Sequence, residues 1–155
     1  NMAQRLAKAG ADGLVLFNRC FLPDVDLDQL HSVVTLPLTH PHEIRLELRW
    51  ISILRKQLDV DLAATGGAHE ATDVLKLLLA GADAVQMASA VIQKGPAHIS
   101  AVIDGLRNWM EAHHFESVEK LKGTLRHDPA RDRASCERGN YVQTLTRYAN
   151  RSERK

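Results

Sequence analysis

Short apolar runs alternate with amphipathic stretches along the first three quarters of the chain. Residues 13–17 (GLVLF), 60–64 (VDLAA) and 84–87 (AVQM) are largely apolar and too short for helices. Such runs suit strands buried on both faces, as in a parallel sheet. Helical spacing marks the intervals. Residues 2–9 put Met2, Leu6 and Ala9 on one face, and Gly10 supplies a stop. Residues 41–58 read as one helix with a stripe of Leu46, Trp50, Ile53 and Leu54. Arg45, Glu47, Arg49, Arg55 and Lys56 fall mostly on its other, solvent side. Residues 71–79 bury Val74, Leu75, Leu78 and Leu79, with Glu70 or Thr72 at the start and Gly81 at the end. Residues 96–113 carry Ile99, Val102, Ile103, Leu106, Trp109 and Met110 at helical spacing. Residues 20–42, with three prolines and the acidic run DVDLD, read as a long irregular loop.

The tetrapeptide Ala-Gly-Ala-Asp occurs at 9–12 and again at 80–83, each time between a helical run and an apolar one. Helix, glycine, strand, polar tip and helix in repetition is the pattern of a (β/α) barrel. The predicted fold is therefore α/β: about three βα units from the C-terminal part of a (β/α)8 TIM barrel, over residues 1–115. Residues 116–155 are predicted as a helical and irregular C-terminal extension: a short helix from Ser117, a polar loop, a helix over 141–148 and a charged tail. A whole barrel needs roughly 250 residues. The chain has 155 and opens Asn1-Met2 inside a predicted helix, so it reads as a piece of a longer protein.

Charge narrows the function classes. Twenty basic residues face nineteen acidic ones, net +1, which predicts no electrostatic grip on nucleic acid or an anionic membrane. Cys20 and Cys136 lie far apart without metal-ligand spacing, which fits free thiols in a reducing, cytoplasmic setting. No apolar run approaches the roughly 20 residues that span a bilayer. His40, His42, His113 and His114 lack partners for a metal set. Trp50 and Trp109 sit in amphipathic stripes and are expected in packing. Asp12 and Asp83 precede strands and are expected to cap or pair.

The strand tips are where chemistry is expected. The second strand ends in Thr65-Gly66-Gly67, and the third leads to Met87-Ala88-Ser89 at a helix start. Backbone N–H groups converging at a glycine turn, beside a helix N-terminus and a hydroxyl, hold a phosphate. In TIM barrels the last two strand tips do this work.

The stretch LAATGGAHEATDVLKLLLAGADAVQMASAVIQKGP resembles the C-terminal FMN-phosphate segment of the dihydroorotate dehydrogenase family, in particular its divergent dihydroorotate dehydrogenase-like branch. The upstream ADGLVLFN resembles that family's sixth strand, which ends in a ligand-facing Asn. The resemblance covers roughly residues 3–112. It implies FMN as cofactor, with Gly66, Gly67, Ala88 and Ser89 as phosphate contacts. It places Asn18 at the flavin or substrate, and Arg19 is a second substrate candidate through a carboxylate pair. Arg19 stands where the family has Ser or Thr, and CFLPDVDLD replaces a glycine-rich stretch. The family's catalytic base and its flavin-side Lys belong to strands that precede this segment, so no catalytic residue is assigned and Cys20 is left as an ordinary thiol. The implied activity is oxidation of dihydroorotate or a similar small cyclic substrate, in pyrimidine biosynthesis.

Two other functions remain open. The same tips could hold a substrate's phosphate in an isomerase or synthase. Alternatively, the chain is a non-catalytic partial barrel whose open sheet edges pair with a second copy or with the rest of a barrel.

Overall fold

The computed structural model describes residues 2–17, 23–34 and 37–125. Asn18, Arg19 and Cys20, the helix expected over 141–148 and Cys136 lie outside the described residues. One compact unit comprises Asn1–Thr124. Its centre is a parallel three-stranded sheet of β1 (Gly13–Leu16), β4 (Asp61–Thr65) and β5 (Ala84–Gln86), in the order β1-β4-β5. Leu14 registers with Leu62, and Ala64 with Val85. Parallel neighbours need a crossover, and helices α2 (Ile44–Leu54) and α3 (Ala71–Ala80) supply the two. Helix α1 (Met2–Lys8) precedes β1; α4 (Ser89–Lys94), α5 (His98–Ala112) and the single turn α6 (Val118–Leu121) follow β5.

The helices cover one face of the sheet. Leu62 and Ala64 of β4, Ile51 and Leu54 of α2 and Leu77 of α3 form the centre of this layer, and Leu62, Ile51 and Leu77 are inaccessible to solvent. Val74, Leu75 and Leu78 on the next face of α3 pack with Val102 of α5 and Leu121 of α6. Chain turns follow local chemistry. Gly81 ends α3 at φ 111° and donates its N–H to Leu77 and Leu78. Asp73 starts α3 by accepting the N–H groups of His69 and Glu70 at 3.2 and 3.1 Å.

Below the sheet, Asp83 accepts the Leu62 N–H at 2.8 Å and pairs with Arg55 and with Lys122, the latter at 3.0 Å. Burial alone would raise its carboxyl. The Leu62 amide, Lys122 and Arg55 together outweigh burial and hold it below its ordinary 3.8.

Three sequence expectations are corrected. Residues 23–34 are not irregular: β2 (Pro23–Asp26) and β3 (His31–Val34) form an antiparallel hairpin, with Asp26 accepting the N–H groups of Asp28 and Gln29. Its strands are largely exposed and β2 is acidic, so no apolar alternation announces them. The helix expected over 41–58 is a 3-10 turn, Pro41–Glu43, followed by α2, which stops at Leu54. Its buried face is Ile44, Glu47, Ile51 and Leu54, whereas Leu46 and Trp50 are more than a third exposed. Trp50 meets Phe17 edge-on instead.

Candidate functional site

Above the C-terminal ends of β4 and β5 lies a cavity of about 590 Å³, within the range of small-molecule sites. All four residues expected at a phosphate line it: Gly66, Gly67, Ala88 and Ser89, together with Thr65, Ala68 and Gln86. Parallel register brings these tips together, because Thr65 pairs with Gln86. The opposite wall comes from the segment entering α2: Pro37, Leu38, Thr39, His42 and Glu43, then Arg45, Leu46 and Glu47 of the helix itself.

Gly66 and Gly67 have φ of 120° and 68°, conformations that favour glycine. Packing adds a second reason for glycine. A Cβ on Gly67 would stand 2.5 Å from the Ile44 N and 2.8 Å from its Cγ2, and one on Gly66 would meet Glu47 Oε1 at 2.8 Å. Close packing of the turn against the start of α2 therefore requires the glycines. Among the described residues, the N–H groups of Gly66, Gly67 and Ala68 donate to no protein acceptor. The Ser89 hydroxyl accepts the Thr39 N–H at 2.9 Å, which ties the 37–40 segment across the mouth of β5. Thr39 Oγ1 also lies 3.4 Å from Nε2 of buried His69, and His98 Nε2 donates to the His69 carbonyl at 2.7 Å. The wall formed by residues 37–40 is thus anchored to both tips.

Glu47 is the residue that sequence reasoning missed. Read as solvent-facing, it is 6% exposed, and its Oε2 has no hydrogen-bond partner. Burial pushes its carboxyl up from the ordinary 4.5, offset in part by its own backbone N–H, and like-charged Glu43 pushes it further. The available signal was spacing: Glu47 falls three residues after Ile44 and four before Ile51, on the buried stripe.

Among the described residues no group of three His, Cys, Asp or Glu is placed to hold a metal, and no helix is long and apolar enough to cross a membrane. His113 sits at the end of α5, where its Nδ1 donates to the Trp109 carbonyl at 2.9 Å.

The unit described here is a parallel α/β segment of the kind that builds TIM-barrel enzymes. A crystal structure of dihydroorotate dehydrogenase from Eimeria tenella, in complex with ferulenol, superposes with a TM-score of 0.65 at 25% identity. The match covers 83% of this chain and 34% of that one. The family model for dihydroorotate dehydrogenase matches residues 44–110. The catalytic subunit of dihydroorotate dehydrogenase B (NAD(+)) from Pelobacter propionicus is 35% identical over 127 residues, 80% of this chain and 41% of that protein. Its counterpart from Pyrococcus furiosus is 29% identical over 119 residues, 75% and 40% respectively. Over this part of its length the chain is similar to the dihydroorotate dehydrogenase family. It spans about two fifths of the length of the curated relatives it matches.

Proposed function

We propose that residues 1–115 are about three βα units of a TIM barrel that hold the phosphate end of FMN, as part of a flavin oxidoreductase acting on dihydroorotate or a similar small cyclic substrate. The relatives' dihydroorotate dehydrogenase identity supports the reaction class. The observation that carries the cofactor reading is that one cavity between adjacent strand tips is lined by Gly66, Gly67 and Ala68, whose N–H groups donate to no protein acceptor among the described residues, and by Ser89. That donor set fits a phosphate dianion. Ser89 accepts from Thr39, and its own proton goes to no protein acceptor among the described residues, so it can be given to a phosphate oxygen.

In this reading Gly66, Gly67 and Ala68 bind through the backbone, and Ala88 leaves room at the second tip. Thr39 orients Ser89 and closes the side of the site. Bound FMN would supply the electron acceptor for removing hydrogen from the substrate. Asn18 and Arg19 are proposed to face the flavin and a substrate carboxylate. No residue of this chain is assigned as the catalytic base, so the chain is proposed to act with the rest of a barrel.

FMN titration followed by flavin fluorescence tests the reading. Saturable binding is expected, and it should be lost in Ala88→Asp, where φ of −104° accepts any residue and the new carboxylate meets the phosphate. Binding unchanged in that variant would remove the phosphate from this tip.

A second reading has its own observation. Met2, Leu6, Val15, Leu46 and Trp50 are exposed apolar residues along a groove beside β1. On the other edge of β1 no strand pairs among the described residues. The chain is then a self-associating partial barrel, and tight strictly monomeric behaviour would count against it.

A further inference from the structure

A buried carboxyl without a partner is costly, because nothing in the protein replaces the water it lost. The other buried polar side chains of the described unit are engaged. Ser52 donates to the Arg49 carbonyl, Asp73 accepts two backbone N–H groups, and the His69 ring lies against Thr39. Glu47 alone among them carries a buried oxygen with no hydrogen bond, and it does so in the wall of the cavity that Gly66 and Gly67, whose N–H groups have no protein acceptor among the described residues, also line. Its Oε1 comes within 2.8 Å of where a Cβ on Gly66 would stand. A ligand oxygen seated on those N–H groups therefore sits close to this carboxyl, inside a cavity where charges are weakly screened.

Among the described residues, the groups that act on its carboxyl include no cation. On its own helix Arg45 shares the cavity wall. Glu43, just ahead of the helix, acts on it with like sign. His40 and His42 of the entering segment stack on one another. From α3, Lys76 is paired with Asp73 at 3.4 Å. His69 follows the glycine turn, β4 carries Asp61 at its opposite end, and β1 and β5 bear no charged side chain. An ionised Glu47 would thus repel a phosphate at short range, whereas the neutral acid can donate a hydrogen bond to it.

We infer that Glu47 is a ligand-facing residue that admits a phosphate monoester to the Gly66–Gly67 tip only as the neutral acid, so that binding there takes up one proton. The inference rests on the proposed phosphate site and adds to it a residue that sets which charge state of the site binds. The carboxyl's upward displacement by burial acts in the same direction, since it keeps the acid neutral over more of the pH scale.

The test is FMN titration of the 155-residue chain and of Glu47→Gln from about pH 5 to about pH 8, with riboflavin as the ligand lacking phosphate. Gln has the size of Glu and never ionises. The ratio of native to variant Kd cancels the ionisation of FMN's own phosphate. That ratio is expected to climb with pH, approaching about tenfold per pH unit once Glu47 ionises in the free protein. For riboflavin the ratio should stay flat. A pH-independent FMN ratio overturns the inference while leaving the phosphate site standing. Absence of binding by either protein at every pH overturns both. If Glu47→Gln does not fold, calorimetry of FMN binding to the native chain in two buffers of different ionisation enthalpy reads proton uptake directly. Uptake near zero above neutrality then refutes the inference.

Discussion

At the residue scale, Glu47 and Gly67 show how the glycine turn and the helix packed on it share the wall of one cavity. The raised carboxyl of Glu47 has a stability consequence independent of any ligand. The folded state holds its proton more tightly than the unfolded chain. Its contribution is therefore complete below the ordinary value of 4.5 and is lost as pH rises through the higher folded value. Urea unfolding at a series of pH values should show Glu47→Gln to be more stable than the native chain above that window, with the difference vanishing at low pH. Equal stability at neutral pH would mean that Glu47 is solvated. Gly67→Ala is expected to cost about 2 kcal/mol or more, since it adds strain at φ 68° to a clash with the backbone of Ile44. A loss below about 0.5 kcal/mol would show that the start of α2 yields easily. Glycine at 66 and 67 was legible in the sequence as a tip. Its physical reason was not, because the start of α2 lies more than twenty residues earlier in the chain.

At the element scale, α3 is the keystone between two clusters. Leu77 packs toward the sheet and α2, while Val74, Leu75 and Leu78 pack toward α5 and α6. Leu77→Ala should cost about 2–5 kcal/mol in denaturant unfolding. The same substitution at exposed Ile92 of α4 should cost far less. Asp83, just ahead of β5, ties the end of α2, strand β4 and the residue after α6 through Arg55, the Leu62 amide and Lys122. Its folded carboxyl is depressed, so its contribution is present above 3.8 and is lost as pH falls below that value. Asp83→Asn should cost about 1–3 kcal/mol at neutral pH and little in acid, as read by thermal melting across pH. The expectation that Asp83 would pair was met because strand-preceding Asp is a local pattern. The stripe assigned to α2 was misplaced by one helical position. Leu46 and Trp50 are as apolar as core residues, yet they face the groove beside β1, so hydrophobicity alone could not say which of two apolar faces is covered.

At the scale of the whole molecule, the parallel sheet ends at β1 and β5 among the described residues, and its helices cover one face. Parallel sheets are normally covered on both. Val15, in the middle of β1, is 55% exposed. Sedimentation of the chain is expected to give a mass above 17.2 kDa, falling toward it in Val15→Lys. A monomeric native chain, or a larger mass unchanged in Val15→Lys, would argue against pairing at this edge.

Period and punctuation along the chain were sufficient for the three parallel strands, the helices that cross between them, the glycine stops and the two strand tips, because each depends on residues within a turn or two. The tertiary structure alone decided what those elements do to one another. It brought the segment at Thr39 onto Ser89, folded an acidic stretch into a hairpin without an apolar signature, and turned Glu47 inward against Gly66. Each of these is a meeting of residues distant in the chain or a choice between two plausible faces. That choice rests on what the rest of the fold leaves uncovered, which no local pattern encodes.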